Sequence, residues 1–387
     1  MSRGLPTVRQ GAPRPVAPGP ACIDGLTVLG ANNNLDVCDH GGRRYLAWRT
    51  APNHFASPLA RLNVVSSGDG GRTWEYETEV ALERDVREPR LLSWDGRLFL
   101  YFFTLGTTWY RFEPDRVHVV ERGDGGWTDP EPISERGVVE WRPRLLGGIP
   151  VMSVYLGADT TYSTHPEPTS VELWTTEDGR HWMPLDPDHP VAHVGGTETD
   201  IVEAPGGGWV AVTRMEGPHG WGSDVCRADA PGPSGWWTRR YPNKLDSPFM
   251  FRAGDDVLLV ARRQVAFGGR YDLGWSWPEP SRRTRLYQLM YWSTPKRTAL
   301  WHVDPDTLEL TRLADLPGRG DCCFPAVVPE GGDRFTIYDY SSPLDRPNRP
   351  WFFGQRGRTA IYEIPVQVVP DEVARGVNPT GDGPSIM

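Results

Sequence analysis

The feature that most constrains the fold is a phrase that recurs six times along the chain. Each copy opens with a short polar-then-apolar segment, turns at Gly or Asp-Gly, and continues into a strongly apolar segment. The copies begin at Asn34, Asp85, Val139, Glu198, Leu245 and Gly320. Their spacing is about 45 to 60 residues, except for about 75 after the fifth copy begins. Units of roughly this length with several short strands are typical of propeller blades, so the sequence predicts an all-β, six-bladed β-propeller.

The composition agrees with a chain of short strands. The 387 residues include 17 Trp, 13 Tyr, 12 Phe, 43 Gly and 38 Pro. Aromatic side chains suit half-buried pleated surfaces, whereas Gly and Pro punctuate the turns between strands. No long stretch shows the 3.6-residue period of an amphipathic helix, so we expect few helices.

The repeats also set the predicted domain boundaries. No linker interrupts them, so residues 26–368 are predicted to form a single propeller. Residues 1–25 and 369–387 are rich in Pro, Gly and polar side chains, and we expect both segments to be disordered. Residues 264–299 form an aromatic-rich insertion in the fifth repeat. Such an insertion serves as a lid or as a subunit contact, so a homo-oligomer formed through it is an open alternative.

Charge and cysteine content narrow the partners and the compartment. The formal net charge is −9, which argues against a nucleic-acid partner because phosphate backbones attract basic surfaces. No run of about 18 apolar residues predicts a membrane span. The N-terminus lacks the apolar core of a signal peptide, and five Cys residues with two adjacent do not form a disulfide framework. We expect a cytoplasmic protein with no membrane partner, no metal and no cofactor.

One turn motif connects the repeats to a known family. Residues 67–74 read SGDGGRTW and match the Asp-box pattern S-x-D-x-G-x-T-W at every fixed position. In such a turn the Asp accepts backbone N–H groups, a Gly takes the left-handed conformation and the Trp packs below. Residues 176–182 carry a shortened copy and residues 122–127 a degraded one. With its six repeats, the region from about residue 30 to 366 resembles the sialidase superfamily, most closely its bacterial sialidase-like branch.

The resemblance implies a funnel lined by the innermost strand of each blade. Sialidases use a Tyr nucleophile activated by a Glu, an Asp as acid/base, and three Arg that bind the substrate carboxylate. Glu198 and Arg214 resemble the family's Glu and second Arg, and Tyr340 resembles the nucleophile. Arg262 or Arg263, at the end of an apolar strand, resembles the third Arg, and Arg263 is the one predicted to bind substrate. A neutral Tyr suits attack beside a carboxylate, and Arg offers it a bidentate fork.

Two elements of the family pattern are missing. Asn34 opens the segment where the family places its first Arg, and the loop at residues 50–55 has no carboxylate where the acid/base Asp is expected. His54 lies in that loop, and its ordinary pKa suits proton transfer near neutrality. We therefore predict Glu198 and Tyr340 as the nucleophilic pair and His54 as the acid/base.

Charged and polar residues elsewhere are further candidates for binding substrate. Most of them fall at equivalent starts of repeats, where they would face the same funnel, although a structural ion-pair network around the axis explains them equally. These candidates are Arg49, Arg87, Glu88, Arg142, Asp200, His219, Asp246, Asp321 and Tyr338.

Three functions are compatible with this pattern. The leading hypothesis is a sialidase-like glycoside hydrolase acting on a terminal acidic sugar of an oligosaccharide or glycoside. The second is a polysaccharide or oligosaccharide lyase, or an enzyme that tailors a small molecule, on the same scaffold. The third is a non-catalytic glycan-binding propeller, because a fold does not by itself determine function.

Overall fold

Six antiparallel sheets form the molecule in the computed structural model, which describes residues 4–108, 111–161, 167–217 and 219–371. The predicted all-β, six-bladed propeller is confirmed. Two helices, α1 (Pro280–Trp292) and α2 (Trp351–Gln355), accompany the strands. Among the residues that the structure describes, no helix is long and apolar enough to span a membrane.

Four or five strands make up each of the first three blades. Two short strands, β1 (Thr7–Gln10) and β2 (Arg14–Ala17), precede them. The first blade contains β3 (Ala31–His40), β4 (Arg43–Ala51), β5 (Arg61–Ser67) and β6 (Glu75–Val80). The second contains β7 (Asp85–Trp94), β8 (Arg97–Leu105), β9 (Pro114–Gly123), β10 (Gly126–Trp127) and β11 (Glu131–Pro132). The third contains β12 (Val139–Leu146), β13 (Ile149–Leu156), β14 (Ser170–Thr176), β15 (Trp182–Pro184) and β16 (Val191–Val194).

The remaining blades follow the same order along the chain. The fourth contains β17 (Gly196–Glu203), β18 (Trp209–Gly217), β19 (Gly220–Ala228) and β20 (Trp237–Tyr241). The fifth contains β21 (Asp246–Ala253), β22 (Asp256–Gln264), β23 (Lys296–Val303) and β24 (Leu310–Asp315). The sixth contains β25 (Ala326–Pro329), β26 (Arg334–Ser341) and β27 (Ala360–Val369).

The sixth blade is completed by the N-terminal strands. β1 and β2 both pair antiparallel with β27, with Thr7 opposite Val369 and Arg14 opposite Glu363. Val16 is buried in the apolar core. The prediction that residues 1–25 are disordered is therefore wrong for residues 4–25, because these polar, Pro-rich strands cover an edge of β27 whose N–H and C=O groups need partners. Residues 372–387 of the predicted C-terminal tail lie outside the described residues.

The apolar core fills the spaces between neighbouring blades. Every residue of β8 after Arg97 is buried, as expected for a strand covered on both faces by other sheets. Aromatic rings carry much of this packing: Tyr101, for example, stands edge-on to Trp182 with ring centroids 5.5 Å apart. Burial of each such aromatic side chain contributes on the order of 2 kcal/mol, so these contacts hold neighbouring blades together.

Asp69 organises the turn between β5 and β6. Its Oδ1 accepts the backbone N–H groups of Arg72 and Thr73, each at 2.9 Å. Gly70 has a positive φ of 75°, which a side chain would disfavour. Trp74 is buried below the turn. These are the hydrogen bonds and packing predicted for residues 67–74.

The innermost strands β3, β7, β12, β17, β21 and β25 contact one another around the axis. Five of them carry a β-bulge near their first residues, between Asn33 and Leu35 in β3 and at matching places in β7, β12, β17 and β21. The bulged residues Asn34, Glu88 and Ser247 have positive φ angles of 44°, 57° and 52°. Bulges redirect side chains, and these three line a common cavity.

The insertion of the fifth blade lies between β22 and β23 and contains α1. Glu279 caps this helix by accepting the N–H groups of Ser281 and Arg282 at 3.1 and 3.2 Å. Tyr291 of α1 packs edge-on against Trp351 of α2, with ring centroids 5.3 Å apart. Tyr271, Tyr287 and Tyr291 of the insertion are therefore buried within this chain, whereas Phe267, Trp275 and Trp277 are exposed. A subunit contact through residues 264–299 stays a prediction.

Deletion of residues 1–17 should destabilise the propeller, because it removes the strands that cover β27. We expect thermal unfolding at a Tm lower by more than about 5 °C. Arg9→Ala, which truncates an exposed side chain on β1, should change Tm by less than about 2 °C. A truncated protein with the Tm of the full chain would contradict a structural role for these strands.

Candidate active site

A cavity of about 160 Å³ lies at the axis, where the bulged ends of the inner strands meet. Its wall contains six of the residues predicted from the sequence: His54, Arg87, Glu88, Glu198, Arg214 and Tyr340. Arg262, Glu216, Ser247 and Trp351 also line it. The repeats therefore bring residues from distant parts of the chain to one cavity.

Asp321 links three side chains on one side of the cavity. Its Oδ1 accepts the hydroxyl of Tyr340 at 3.0 Å and the indole N–H of Trp351 at 2.9 Å. Its Oδ2 lies 2.8 Å from Nδ1 of His54. Burial acts to raise the pKa of Asp321, but the hydrogen bonds from His54 and Trp351 and the charge of Arg262 act in the opposite direction, and the pKa is lowered. Asp321 is thus an ionised acceptor for all three partners.

Tyr340 and His54 are both neutral in this arrangement. Burial, assisted by the charge of Asp321, raises the pKa of Tyr340 well above its usual range. Burial also lowers the pKa of His54, although Asp321 opposes the shift. With Asp321 ionised, the proton of the neutral imidazole belongs on Nδ1, which leaves Nε2 as a proton acceptor.

Arg214 and Glu198 form an ion pair in another part of the wall. Arg214 Nη1 donates to Glu198 Oε1 at 2.6 Å, and Nη2 lies 3.0 Å from Glu216 Oε2. The second oxygen of Glu198 accepts the backbone N–H of Ser247 at 2.6 Å. Both oxygens of Glu198 are therefore held by donors.

Two further arginines are fixed by buried carboxylates. Arg262 Nη2 donates to Asp246 at 3.0 Å, and Arg87 Nε donates to Asp85 at 2.7 Å. Arg87 Nη2 also donates to the backbone oxygen of His54 at 2.6 Å. These hydrogen bonds fix the position of each guanidinium. The bond from Arg87 to the backbone of His54 also fixes the loop that carries His54.

Glu88 differs from the other acids of the cavity. Its Oε2 is buried and makes no hydrogen bond within the described part of the chain. Burial, followed by the charge of Glu198, raises the pKa of Glu88 to about 7. Burial raises the pKa of Glu198 as well, against the effect of Arg214. Because both oxygens of Glu198 accept hydrogen bonds, Glu88 is the member of the pair that holds a proton.

Arg263 does not reach the cavity. Its guanidinium pairs with Asp315 on the outer part of the fifth blade, with Nε 2.7 Å from Oδ1. Successive residues of a strand face opposite sides, so Arg262 reaches the axis in its place. Apolar residues cover both faces of this strand, and the sequence pattern therefore could not distinguish the two arginines.

Arg142 and Asp200 lie farther along the axis, away from the cavity wall. Arg142 pairs with Asp36 at 3.2 Å and stacks on Phe249. Asp200 accepts Arg144 Nε at 2.9 Å. Their charges belong to an ion-pair network around the axis, and binding of substrate by these two residues stays a prediction.

The other predicted residues lie around the cavity but not in its wall. Arg49 is completely buried and donates to Asp85 at 2.7 Å. Asp246 and Asp321 accept hydrogen bonds from the lining residues Arg262 and Tyr340. Tyr338 lies two residues from Tyr340 on the same face of β26, in the core beside Arg44. His219 borders a small adjoining pocket. These residues do not line the cavity, because packing within and between blades decides which side chains reach it, and their contact with substrate stays a prediction.

Trp351, Glu216 and Ser247 were not predicted, and no local pattern marks Trp351 or Ser247. Trp351 reaches the cavity from α2, which folds back from the connection between β26 and β27. Ser247 reaches the cavity because it lies in a β-bulge, and the sequence contains no signal that predicts this bulge. Only Glu216 carried a signal, since it follows Arg214 by two residues and so shares its strand face.

Comparison with known proteins identifies the class of fold. No protein-family model and no curated protein matches the sequence. A Dyadobacter fermentans protein of unknown function superposes with a TM-score of 0.62 at 16% identity, covering 94% of this chain and 100% of that one. Trypanosoma rangeli sialidase in complex with the inhibitor DANA gives 0.59 at 13% identity, over 90% and 56%. Phage phi92 endosialidase gives 0.56 at 11% identity, over 94% and 70%.

These likenesses establish a sialidase-like six-bladed propeller. This chain spans little more than half the length of the trypanosomal sialidase. At 11 to 16% identity the comparisons show the fold alone.

Glu88→Gln should remove a pH-dependent loss of stability. The native pKa of about 7 exceeds the ordinary value of 4.5, so the folded state binds the proton more tightly than the unfolded chain. The stabilisation is complete below pH 4.5 and is lost as the pH rises through about 7. Urea unfolding over this range should show the wild type losing on the order of 3 kcal/mol relative to the variant.

Glu131→Gln is the matched control for this measurement. Glu131 is a half-exposed acid on β11 of the same blade, and its variant should follow the pH dependence of the wild type. Parallel curves for the wild type and Glu88→Gln would show that Glu88 titrates normally.

Proposed function

We propose that this protein hydrolyses glycosides of an acidic sugar, with Tyr340 as the nucleophile. The observation that supports it best is a single cavity in which Tyr340, hydrogen-bonded to Asp321, lies among Arg87, Arg214 and Arg262. A neutral phenol can approach an anomeric centre beside a carboxylate without charge repulsion.

The arginines recognise the sugar carboxylate in this proposal. Permanently charged, planar guanidinium groups bind carboxylates through paired hydrogen bonds. Arg87 and Arg262 come from different blades and are each fixed by a buried Asp, so they are preorganised for an anion in the cavity. An acidic sugar is therefore favoured over a neutral one.

Asp321 takes the proton of Tyr340 as the phenol attacks. The two groups are 3.0 Å apart and Asp321 is ionised, as a general base must be. This replaces the predicted pairing of Glu198 with Tyr340, since the oxygens of Glu198 are occupied by Arg214 and Ser247. Glu198 instead fixes one guanidinium of the cavity.

His54 acts as a positioning residue. Its neutral ring has no proton to give from Nε2, so the acid half of its predicted role does not fit. The hydrogen bond from Nδ1 orients Asp321, and the bond from Arg87 to the His54 carbonyl orients the loop.

One observation favours a second candidate, β-elimination from a uronic acid. Neutral His54 beside Tyr340 could accept the proton next to a carboxylate that the arginines neutralise. The products distinguish the two reactions: hydrolysis gives a saturated reducing sugar, whereas elimination gives an unsaturated uronide with a new ultraviolet absorbance.

Tyr340→Phe should abolish hydrolysis of aryl glycosides of N-acetylneuraminic, 3-deoxy-2-keto and uronic acids. We expect kcat to fall by about 10³-fold or more, because the nucleophilic oxygen is lost. Tyr338→Phe, two residues away in the core, should keep kcat within about threefold. Unchanged kcat in Tyr340→Phe would exclude the nucleophile, and binding of these glycosides without turnover by the wild type would favour a binding protein.

Arg262→Lys should reduce kcat/KM for the free-acid substrate by about 10- to 100-fold, because Lys cannot reproduce the paired hydrogen bonds. The methyl ester of the same substrate should be affected much less. Arg263→Lys, on the adjacent residue, should leave both values near those of the wild type. Equal losses on acid and ester would indicate a purely structural role for Arg262.

A further inference from the structure

Two carboxyl groups of the cavity are held in different ways. Glu198 accepts hydrogen bonds through both oxygens, from Arg214 and from the backbone of Ser247. Glu88 has a buried Oε2 with no hydrogen-bond partner among the residues that the structure describes. Glycoside cleavage commonly requires one carboxylic acid that gives a proton and other groups that stay charged.

We infer that Glu88 is the catalytic acid that protonates the departing glycosidic oxygen. This inference rests on the proposed hydrolysis. It supplies the proton donor, a role that the neutral ring of His54 does not fit. The side chain of Glu88 lies in the wall of the cavity that also contains Tyr340 and the arginines. Glu88, predicted from the sequence as one of several substrate-binding charges, has in this proposal a specific catalytic role.

The backbone directs Glu88 into the cavity. The register of β7 against β8 shifts between Arg87 and Arg90, and Glu88 has a φ of 57° within this bulge. A left-handed backbone is uncommon for Glu, and such conformations persist where the surrounding structure enforces them, often at functional sites. The bulge separates Glu88 from Arg90, which packs instead on Trp141.

The surroundings keep this carboxyl protonated near neutrality. Burial and Glu198 raise its pKa, whereas three arginines act in the opposite direction. Tyr155 and Glu140 also face it from the third blade. The charged or titratable groups around Glu88 are Arg87 and Arg90 on β7, Glu140 on β12, Tyr155 on β13, Glu198 on β17 and Arg214 on β18.

The proton balance of the reaction closes with these groups. In the first step Tyr340 Oη bonds to the anomeric carbon and gives its proton to Asp321, while the glycosidic C–O bond breaks and the leaving oxygen takes the proton of Glu88. In the second step water attacks the anomeric carbon and gives a proton to Glu88. As the bond to water forms, the bond from the anomeric carbon to Tyr340 Oη breaks, and Tyr340 recovers its proton from Asp321. One glycoside and one water yield one sugar and one alcohol, without further reactants.

The test compares leaving groups in Glu88→Gln. The probes are the methyl and 4-nitrophenyl glycosides of N-acetylneuraminic acid and of glucuronic acid. Methoxide needs a proton to depart, whereas 4-nitrophenoxide does not. We expect kcat/KM for the methyl glycoside to fall by about 10³-fold and that for the nitrophenyl glycoside by less than about 10-fold. Glu131→Gln should behave as the wild type with both probes.

A second readout does not depend on turnover. Infrared difference spectra of the wild type minus Glu88→Gln should show a protonated-carboxyl band that disappears as the pH passes about 7. Burial raises the pKa of Asp339 to about 7 as well, but that carboxyl is present in both proteins and cancels in the difference. Equal losses on both glycosides would overturn the role of Glu88 as acid even if the band is present, and absence of the band would overturn its protonated state. If the wild type cleaves neither probe nor any other acidic glycoside, the proposed function fails and the acid role fails with it, whereas the band still decides the state of Glu88.

Discussion

Pairing of buried charge is the constraint on which this structure depends. The axis of the propeller holds many charged side chains away from water, where an unpaired charge is costly. Asp85 illustrates the solution, since one fully buried carboxylate binds both Arg49 and Arg87. Arg49 also donates to the backbone oxygens of Asn53 and Phe55, so the same group of contacts fixes the loop of His54. Structural stability and the geometry of the site thus rest on the same ion pairs.

The β-bulges determine which polar groups face the cavity and remain outside these buried ion pairs. Regular strands would direct alternate side chains towards neighbouring blades, where charges need partners. At Asn34, Glu88 and Ser247 the left-handed backbone turns the residue to the cavity instead. The result is a polar cavity inside a rigid ring, and its groups are held in place before a ligand arrives.

The repeats made much of the fold predictable. Six openings with Gly-rich turns and apolar strands specify six sheets, and the turn around Asp69 forms from local hydrogen bonds within residues 67–74. Prediction failed for the N-terminus, because the polar strands β1 and β2 are stabilised only by the edge of β27, more than 340 residues away in sequence. Local composition carries no information about such an edge.

The sequence by itself determined the architecture and placed His54, Glu88, Glu198, Arg214 and Tyr340 among the candidates, since charges at repeat openings fall near the axis of any propeller. Only the tertiary structure decided how they are used. In the folded protein Arg262 reaches the axis and Arg263 does not. Tyr340 donates a hydrogen bond to Asp321, and Arg142 and Asp200 form structural ion pairs. The physical reason is that strand periodicity is local, whereas hydrogen-bond partners and burial depend on how six blades close around one axis.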